Sequence, residues 1–194
     1  MALFSLPELR YEAQRLSVLS KSFYANELKK SATESLYNQR FHVFMSHSII
    51  DADVIFTLKT RIENMGYSVY IDWDADGHLD RSRVDKETAQ LIRRRMQNCD
   101  CLFFATSDNS PRSKWMPWEL GYFDALKGRV AILPLSEYSP ANDLFNGQEY
   151  LGLYPYVTIG QNMEHENWLW IRESMSKYIR FDYWLSGSEP QVQR

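Results

Sequence analysis

Short apolar runs alternate with stretches of helical periodicity between residues 41 and 181. The apolar runs predict strands at 41–45, 67–71, 101–105, 130–134 and 156–159. Apolar residues at helical spacing predict helices over 51–65, 84–98, 114–127 and 166–181. A strand that recurs about every 30 residues with a helix in between indicates right-handed crossovers and a parallel sheet. This part of the chain is therefore predicted to be an α/β domain.

Five parallel strands with intervening helices most simply form an open three-layer α/β/α sandwich. We expect a flavodoxin-like sheet in the order 2-1-3-4-5, in which ligands bind beyond the carboxyl ends of strands 1 and 3. These ends lead into two loops, Ser46–Ser48 and Thr106–Trp115, the second of which precedes the helix that carries Glu119. The topology alone therefore predicts a ligand site at these two loops.

A helical segment precedes this domain. Ser5-Leu-Pro-Glu8 fits a capping box, and Leu9, Ala13 and Leu16 begin an apolar stripe that continues within residues 1–40. Such a stripe must pack on the main domain or on another subunit, and we expect it to take part in assembly of a homo-oligomer. The predicted organisation is a helical extension over 1–40, a domain over 41–182 and a polar tail over 183–194.

Composition narrows the functional classes. The 194 residues include 22 Lys and Arg against 25 Asp and Glu, a formal charge of −3 that argues against a general nucleic-acid face. No apolar run approaches the ~20 residues needed to cross a bilayer, and no secretory signal is visible. Cys99 and Cys101 lie too close together for an ordinary disulfide. We expect a cytoplasmic protein that binds neither nucleic acid nor membrane.

The two loops carry the candidate chemistry. Trp115 and Glu119 stand at positions i and i+4, which places a ring beside a carboxylate on one helix face. Ser46, His47 and Ser48 offer hydroxyls and backbone amides that suit phosphate or ribose. The alternatives are that Trp115 belongs to the core, that Glu119 is solvated, and that the serines only cap the following helix.

Other common chemistries lack their motifs. The sequence has neither a G-x-G-x-x-G fingerprint nor a phosphate-cradling Gly-Lys-Ser/Thr loop, which argues against a conventional dehydrogenase or NTPase. No nucleophile elbow accompanies His47, so a serine hydrolase is disfavoured. The acidic stretch from Asp72 to Asp80 lacks the distal Glu of a calcium loop, and we expect a solvated loop with no bound metal.

Five short motifs, in order, resemble bacterial Toll/interleukin-1 receptor (TIR) domains. They are His42-Val-Phe-Met-Ser-His-Ser48, Ser68-Val-Tyr-Ile-Asp72, Cys101-Leu-Phe-Phe-Ala-Thr-Ser107, Ser113-Lys-Trp-Met-Pro-Trp-Glu-Leu120 and Val130-Ala-Ile-Leu-Pro134. The resemblance covers about residues 41–180 and implies the flavodoxin-like fold reached above. Many bacterial members hydrolyse or cyclise NAD⁺, often as standalone proteins of Thoeris-like antiphage defence.

The resemblance also implies roles for individual residues. Glu119 would be the catalytic residue, and Trp115 would stack near the nicotinamide. The remaining substrate-binding residues would be Phe44, Ser46, His47, Ser48, Asp72 and Trp73. The loop over 73–83 would contact a neighbouring subunit of a homo-oligomer. NAD⁺ would be a substrate rather than a cofactor, and a downstream effector would read the product.

The chemistry of NAD⁺ cleavage suits a single carboxylate. Glycosidases usually need a second carboxyl group to protonate the leaving group, whereas nicotinamide is cationic while bound to ribose and leaves as a neutral molecule. Glu119 could then bind the ribose hydroxyls and stabilise the oxocarbenium-like centre. Two alternatives stay open: an adaptor module that only binds other TIR domains, and a nucleoside deoxyribosyltransferase, which has a similar fold and also uses a catalytic Glu.

Overall fold

A computed structural model describes residues 1–20, 39–71, 85–138, 144–147, 149–162 and 164–193. The helices of these ranges are α1 (Leu6–Ser20), α2 (Ala52–Glu63), α3 (Lys86–Gln97), α4 (Met116–Lys127) and α5 (Phe181–Leu185). The strands are β1 (Phe4–Ser5), β2 (Phe41–Ser46), β3 (Val69–Tyr70), β4 (Cys99–Thr106), β5 (Val130–Ser136), β6 (Tyr156–Gln161), β7 (Asn167–Arg172), β8 (Lys177–Arg180) and β9 (Gln191–Val192). Short 3₁₀ turns lie at Ile49–Asp51, Ser110–Arg112 and Glu149–Leu153.

The parallel part of the sheet has the predicted order. β2 lies between β3 and β4, and β5 and β6 follow on the far side of β4, so the order is β3-β2-β4-β5-β6. Val43 pairs with both Val69 and Cys101, which fixes β2 at the centre. This is the 2-1-3-4-5 order, and the prediction of a flavodoxin-like parallel sheet is confirmed.

Helices cover both faces of the sheet because successive strand residues point in opposite directions. Val43 and Met45 face the layer formed by α1, α2 and α5. Phe44 faces the other layer, in which α3 and α4 bury apolar residues such as Ile92 and Phe123. The result is the predicted three-layer α/β/α sandwich, with a separate hydrophobic core on each side of the sheet.

The segment 166–181 forms strands, and the predicted helix there is wrong. β7 pairs antiparallel with β6, and β8 pairs antiparallel with β7, which widens the sheet beyond its parallel part. Leu169 and Ile171 are buried on one face, whereas Trp168 and Trp170 lie on the other and are partly exposed. This alternation has the period of two that a half-buried strand requires. The turn over Glu173–Ser176 then closes the hairpin.

The N-terminal segment packs on its own domain. Phe4 pairs with Leu135 of β5, and Ala2 bridges to Ile159 of β6, so the first residues fill the space between these strands. Leu6 and Leu9 are 1% and 0% exposed within the core that α1 shares with α2. The expectation that this stripe assembles subunits is therefore wrong for residues 6–13. Residues 21–38 lie outside the described ranges.

The interpretation of residues 183–194 as a simple polar tail also needs correction. Trp184 of α5 is 2% exposed and lies in the core that includes Phe181. Beyond this helix, Gln191 pairs with Tyr178, so β9 extends the sheet at its edge. The indole is buried although polar residues surround it in sequence, because removing its large apolar surface from water stabilises the fold.

Among the residues that the structure describes, no helix combines the length and the apolar character needed to span a membrane.

Candidate active site

The carboxyl end of β2 supplies the first wall of the site. Phe44 and Ser46 lie two residues apart and therefore point to the same face of the sheet, towards α3 and α4. The ring of Phe44 stacks on that of Tyr70 from β3, with centroids 5.3 Å apart and planes at 27°. Ser46 is the last residue of β2 and is 0% exposed.

The start of α4 supplies the second wall. The hydroxyl of Ser113 accepts a hydrogen bond from the amide of Met116 at 3.3 Å, and Pro117 occupies the first turn. Both features favour a helix start at this point. The helix begins at Met116 rather than at the predicted Lys114, so Glu119 lies in the first turn. The amide of Glu119 donates to the carbonyl of Trp115 at 2.8 Å.

The two walls meet at a hydrogen bond between Ser46 and Glu119. The Ser46 hydroxyl donates to Oε2 of Glu119 at 2.6 Å, across 73 positions of sequence, and Glu119 is 1% exposed. A carboxylate withdrawn from water needs such donors, and the N-terminal end of a helix adds a favourable partial positive charge. The alternative of a solvated Glu119 is excluded. Ser46 of the first predicted loop and the helix that follows the second therefore meet at one buried polar pair.

Trp115 lies mainly inside the hydrophobic core. Its side chain is 6% exposed and packs edge-on against Trp118, with ring centroids 5.4 Å apart and planes at 75°. The same core contains Phe44 and Tyr70, so the indole belongs to the core that lies on this face of the sheet and does not stand free in solvent. A core role is thus clear from the packing, and stacking on nicotinamide stays a prediction.

His47 and Ser48 have local roles in the described structure. Nδ1 of the buried His47 lies 2.9 Å from the carbonyl oxygen of Met45. The hydroxyl of Ser48 accepts from the amide of Ile50 at 3.4 Å and so caps the 3₁₀ turn. Contact of either residue with a substrate stays a prediction. Asp72 and Trp73, with the loop over 73–83, lie outside the described residues.

Asp51 is a polar residue of this region that the sequence analysis missed. It is 5% exposed and accepts hydrogen bonds from the Ser107 hydroxyl at 2.6 Å and from Nδ2 of Asn109 at 2.7 Å. The sequence signal that could have identified it is an Asp shortly after β2 together with Ser107-x-Asn109 directly after the neighbouring strand β4.

The two cysteines form no part of the candidate site. Cys99 and Cys101 are free and fully buried within β4, and burial raises the pKa of each thiol. A thiol with a raised pKa carries little of the nucleophilic thiolate at neutral pH. Within the described ranges, no group of three or more His, Cys, Asp or Glu residues is arranged to hold a metal ion.

A parallel α/β sheet with a buried carboxylate at the point where the strand order reverses defines a class of flavodoxin-like proteins. Comparison with known proteins identifies the family within that class. Residues 43–164, more than half of the chain, match the model of the TIR domain. The protein therefore belongs to the TIR domain family, and the resemblance drawn from its motifs is confirmed.

Two relatives carry names that describe an activity. A protein of Bacillus cereus (strain MSX-D12), provisionally named 3′ cyclic ADP-D-ribose synthase ThsB′, is 48% identical over 192 residues, or 95% of this chain and 98% of that protein. A protein of Cytobacillus dafuensis, provisionally named cyclic ADP-D-ribose synthase TIR2, is 30% identical over 112 residues, or 57% of this chain and 30% of that protein.

Proposed function

We propose that the protein is a TIR enzyme that cleaves the nicotinamide–ribose bond of NAD⁺ and closes the ADP-ribose into a cyclic nucleotide. The buried carboxylate of Glu119, 2.6 Å from the Ser46 hydroxyl, is the observation that carries this proposal. The names of the two relatives support it, since both describe synthases of cyclic ADP-D-ribose. NAD⁺ is the substrate that such a synthesis consumes.

Glu119 is the proposed catalytic residue. As the bond between ribose C1 and the nicotinamide nitrogen breaks, its electron pair moves to the nitrogen, and nicotinamide leaves as a neutral molecule. Positive charge then develops on the ribose ring, where a carboxylate held in a site with little water stabilises it most strongly. The Ser46 hydroxyl fixes the orientation of that carboxylate through its 2.6 Å hydrogen bond.

The second half of the reaction determines the product. Attack by water on C1 gives linear ADP-ribose, whereas attack by a ribose hydroxyl or an adenine nitrogen of the same molecule gives a cyclic product. When a ribose hydroxyl attacks, its oxygen forms the new bond to C1, the bond from C1 to nicotinamide breaks, and the hydroxyl proton is released to solvent, so that NAD⁺ gives cyclic ADP-ribose, nicotinamide and H⁺. The names of the two relatives both describe cyclic products, and we therefore propose the cyclic product.

Product analysis tests this proposal directly. The purified protein is incubated with NAD⁺, and nicotinamide, ADP-ribose and cyclic ADP-ribose isomers are separated by chromatography and identified by mass. We expect nicotinamide and a cyclic nucleotide in equal amounts. Release of nicotinamide with only linear ADP-ribose would contradict cyclisation. A chain that releases no nicotinamide from NAD⁺ under any assembly condition would instead be an interaction module, and activity on deoxynucleosides alone would indicate a deoxyribosyltransferase.

We further propose that the enzyme acts in the cytoplasm as a homo-oligomer and supplies a signal to an effector in antiphage defence. TIR family membership supports this setting. If two copies complete one site, specific activity rises with protein concentration by mass action. Activity and light scattering are therefore measured over one dilution series. Constant specific activity in a range where the protein is monomeric would contradict a shared site.

A further inference from the structure

Asp51 is the last residue of the 3₁₀ turn that Ser48 caps, and it directly precedes α2. Its side chain makes no capping bond to an amide of that helix. Its two carboxylate oxygens accept instead from Ser107 and Asn109, which follow β4, so the side chain links two loops that are separated by more than fifty positions of sequence.

The hydrogen bonds between Asp51 and the loop after β4 are buried and short. Asp51 is 5% exposed, and the bonds of 2.6 and 2.7 Å are in the range of charge-assisted hydrogen bonds. The Ser107 hydroxyl also accepts from the amide of Asn109 at 3.1 Å, and the amide of Ser107 donates to Ser110 Oγ at 2.8 Å. The carboxylate therefore holds an ordered turn, not a single flexible side chain.

The linked loops adjoin the strand and the helix that carry the Ser46–Glu119 pair. Ser46 ends β2 five residues before Asp51, and the turn held by Asp51 leads into the start of α4 and Glu119. We propose that Asp51 is a positioning residue: by fixing the loop after β4 to the loop after β2, it holds Glu119 in register with Ser46 for the cleavage of NAD⁺. This inference rests on the proposed function only for its activity readout.

Three variants test the role. Asp51→Ala removes both cross-loop bonds, and Asn109→Ala removes one of them while leaving the carboxylate in place. Asp53→Ala is the matched control, because Asp53 is an exposed acid two residues along whose side chain accepts from the adjacent amide of Val54. Thermal melts establish a temperature at which every variant is folded, and kcat and KM for NAD⁺ are measured there.

We expect kcat to fall at least ~10-fold in Asp51→Ala, with KM within about threefold of wild type, because a misplaced catalytic group slows the chemical step. Asn109→Ala should show a smaller fall in kcat, and Asp53→Ala none. The double variant Asp51→Ala/Asn109→Ala should be no slower than Asp51→Ala, since both changes break one linkage. If Asp51→Ala does not fold, the comparison of Asn109→Ala with Asp53→Ala decides.

Wild-type kcat in folded Asp51→Ala or, failing that variant, in Asn109→Ala would overturn the inference, because a purely structural role lowers only the melting temperature. Amide hydrogen exchange over residues 106–116 separates this outcome from failure of the proposed function. Exchange there should become faster in Asp51→Ala and Asn109→Ala than in Asp53→Ala, whether or not the wild type cleaves NAD⁺. Unchanged exchange would contradict the linkage itself.

Discussion

The replacement Glu119→Gln separates catalysis from folding at the candidate site. Gln keeps the size of the side chain and can still accept a hydrogen bond from Ser46, but it removes the negative charge. If that charge stabilises the developing positive charge on the ribose, its loss should slow nicotinamide release at least ~10²-fold. This loss corresponds to about 2.7 kcal/mol, at 1.36 kcal/mol for each tenfold change in rate.

The expected change in stability is much smaller. The hydrogen bond from Ser46 weakens because hydrogen bonds to charged groups contribute about 1.5–3 kcal/mol and neutral ones about 0.5–1.5 kcal/mol. Glu119 is 1% exposed, so the uncharged side chain also escapes the cost of burying a charge. These two effects oppose each other. We expect the melting temperature to stay within about 4 °C of wild type, since 1 kcal/mol shifts it by about 2–4 °C at this size.

A matched variant controls for the substitution. Glu87 stands in the first turn of α3, as Glu119 does in α4, but it is exposed. Glu87→Gln should keep both the rate and the melting temperature. Nicotinamide release is followed by chromatography, and folding by circular dichroism, at equal protein concentrations. A folded Glu119→Gln protein that releases nicotinamide at more than about a third of the wild-type rate would refute the electrostatic role.

Three further predictions concern packing and charge. Trp115→Ala should lower the melting temperature by roughly 6–20 °C, and Trp115→Phe by less, because the ring is 6% exposed. A lower melting temperature with an unchanged KM for NAD⁺ indicates a core role alone, whereas a raised KM indicates stacking on the substrate. Deletion of residues 1–38 removes β1 and the buried face of α1, so the truncated protein should be unfolded or aggregated, as measured by circular dichroism and light scattering. A truncated protein with the melting temperature of wild type would contradict this prediction. The hydrogen bond from Arg180 lowers the pKa of Asp182, so the stabilisation that this bond gives is present above about pH 4 and is lost as the pH falls through the lowered pKa. Asp182→Asn should therefore have a lower melting temperature than wild type at pH 7, and the two melting temperatures should converge in acid. A difference in melting temperature that does not change with pH would exclude the effect.

The parallel sheet could be predicted from sequence because its signals are local and repeated. Each strand of β2 to β6 is a short apolar run, and the intervening helices end at recognisable residues such as Gly128, whose φ of +63° suits glycine. Crossover handedness then leaves few possible orders. The antiparallel hairpin of β7 and β8 was missed although its period-two alternation is visible, because its aromatic face is half-buried and its sequence also allows helical spacing.

The site was predicted in part for the same reason. Topology places the ends of β2 and β4 at one edge, so the meeting of Ser46 with the helix that carries Glu119 follows from strand order. The partner of each polar side chain does not follow, because hydroxyl and carboxylate groups can bond either locally or across the fold. The 2.6 Å bonds from Ser46 to Glu119 and from Ser107 to Asp51 could therefore be seen only in the structure.

Helix starts show where the fold departs from local rules. Ser5, Asp85 and Ser113 each accept a bond from an amide three residues ahead, which is the ordinary use of such residues. Asp51 directly precedes α2, yet its carboxylate is directed to the loop after β4. The turn that leads into α2 is capped by Ser48 instead, so both carboxylate oxygens of Asp51 can accept bonds from the neighbouring loop. The bonds from Ser107 and Asn109 fix the loop after β4 to the loop after β2, at the switch point of the sheet.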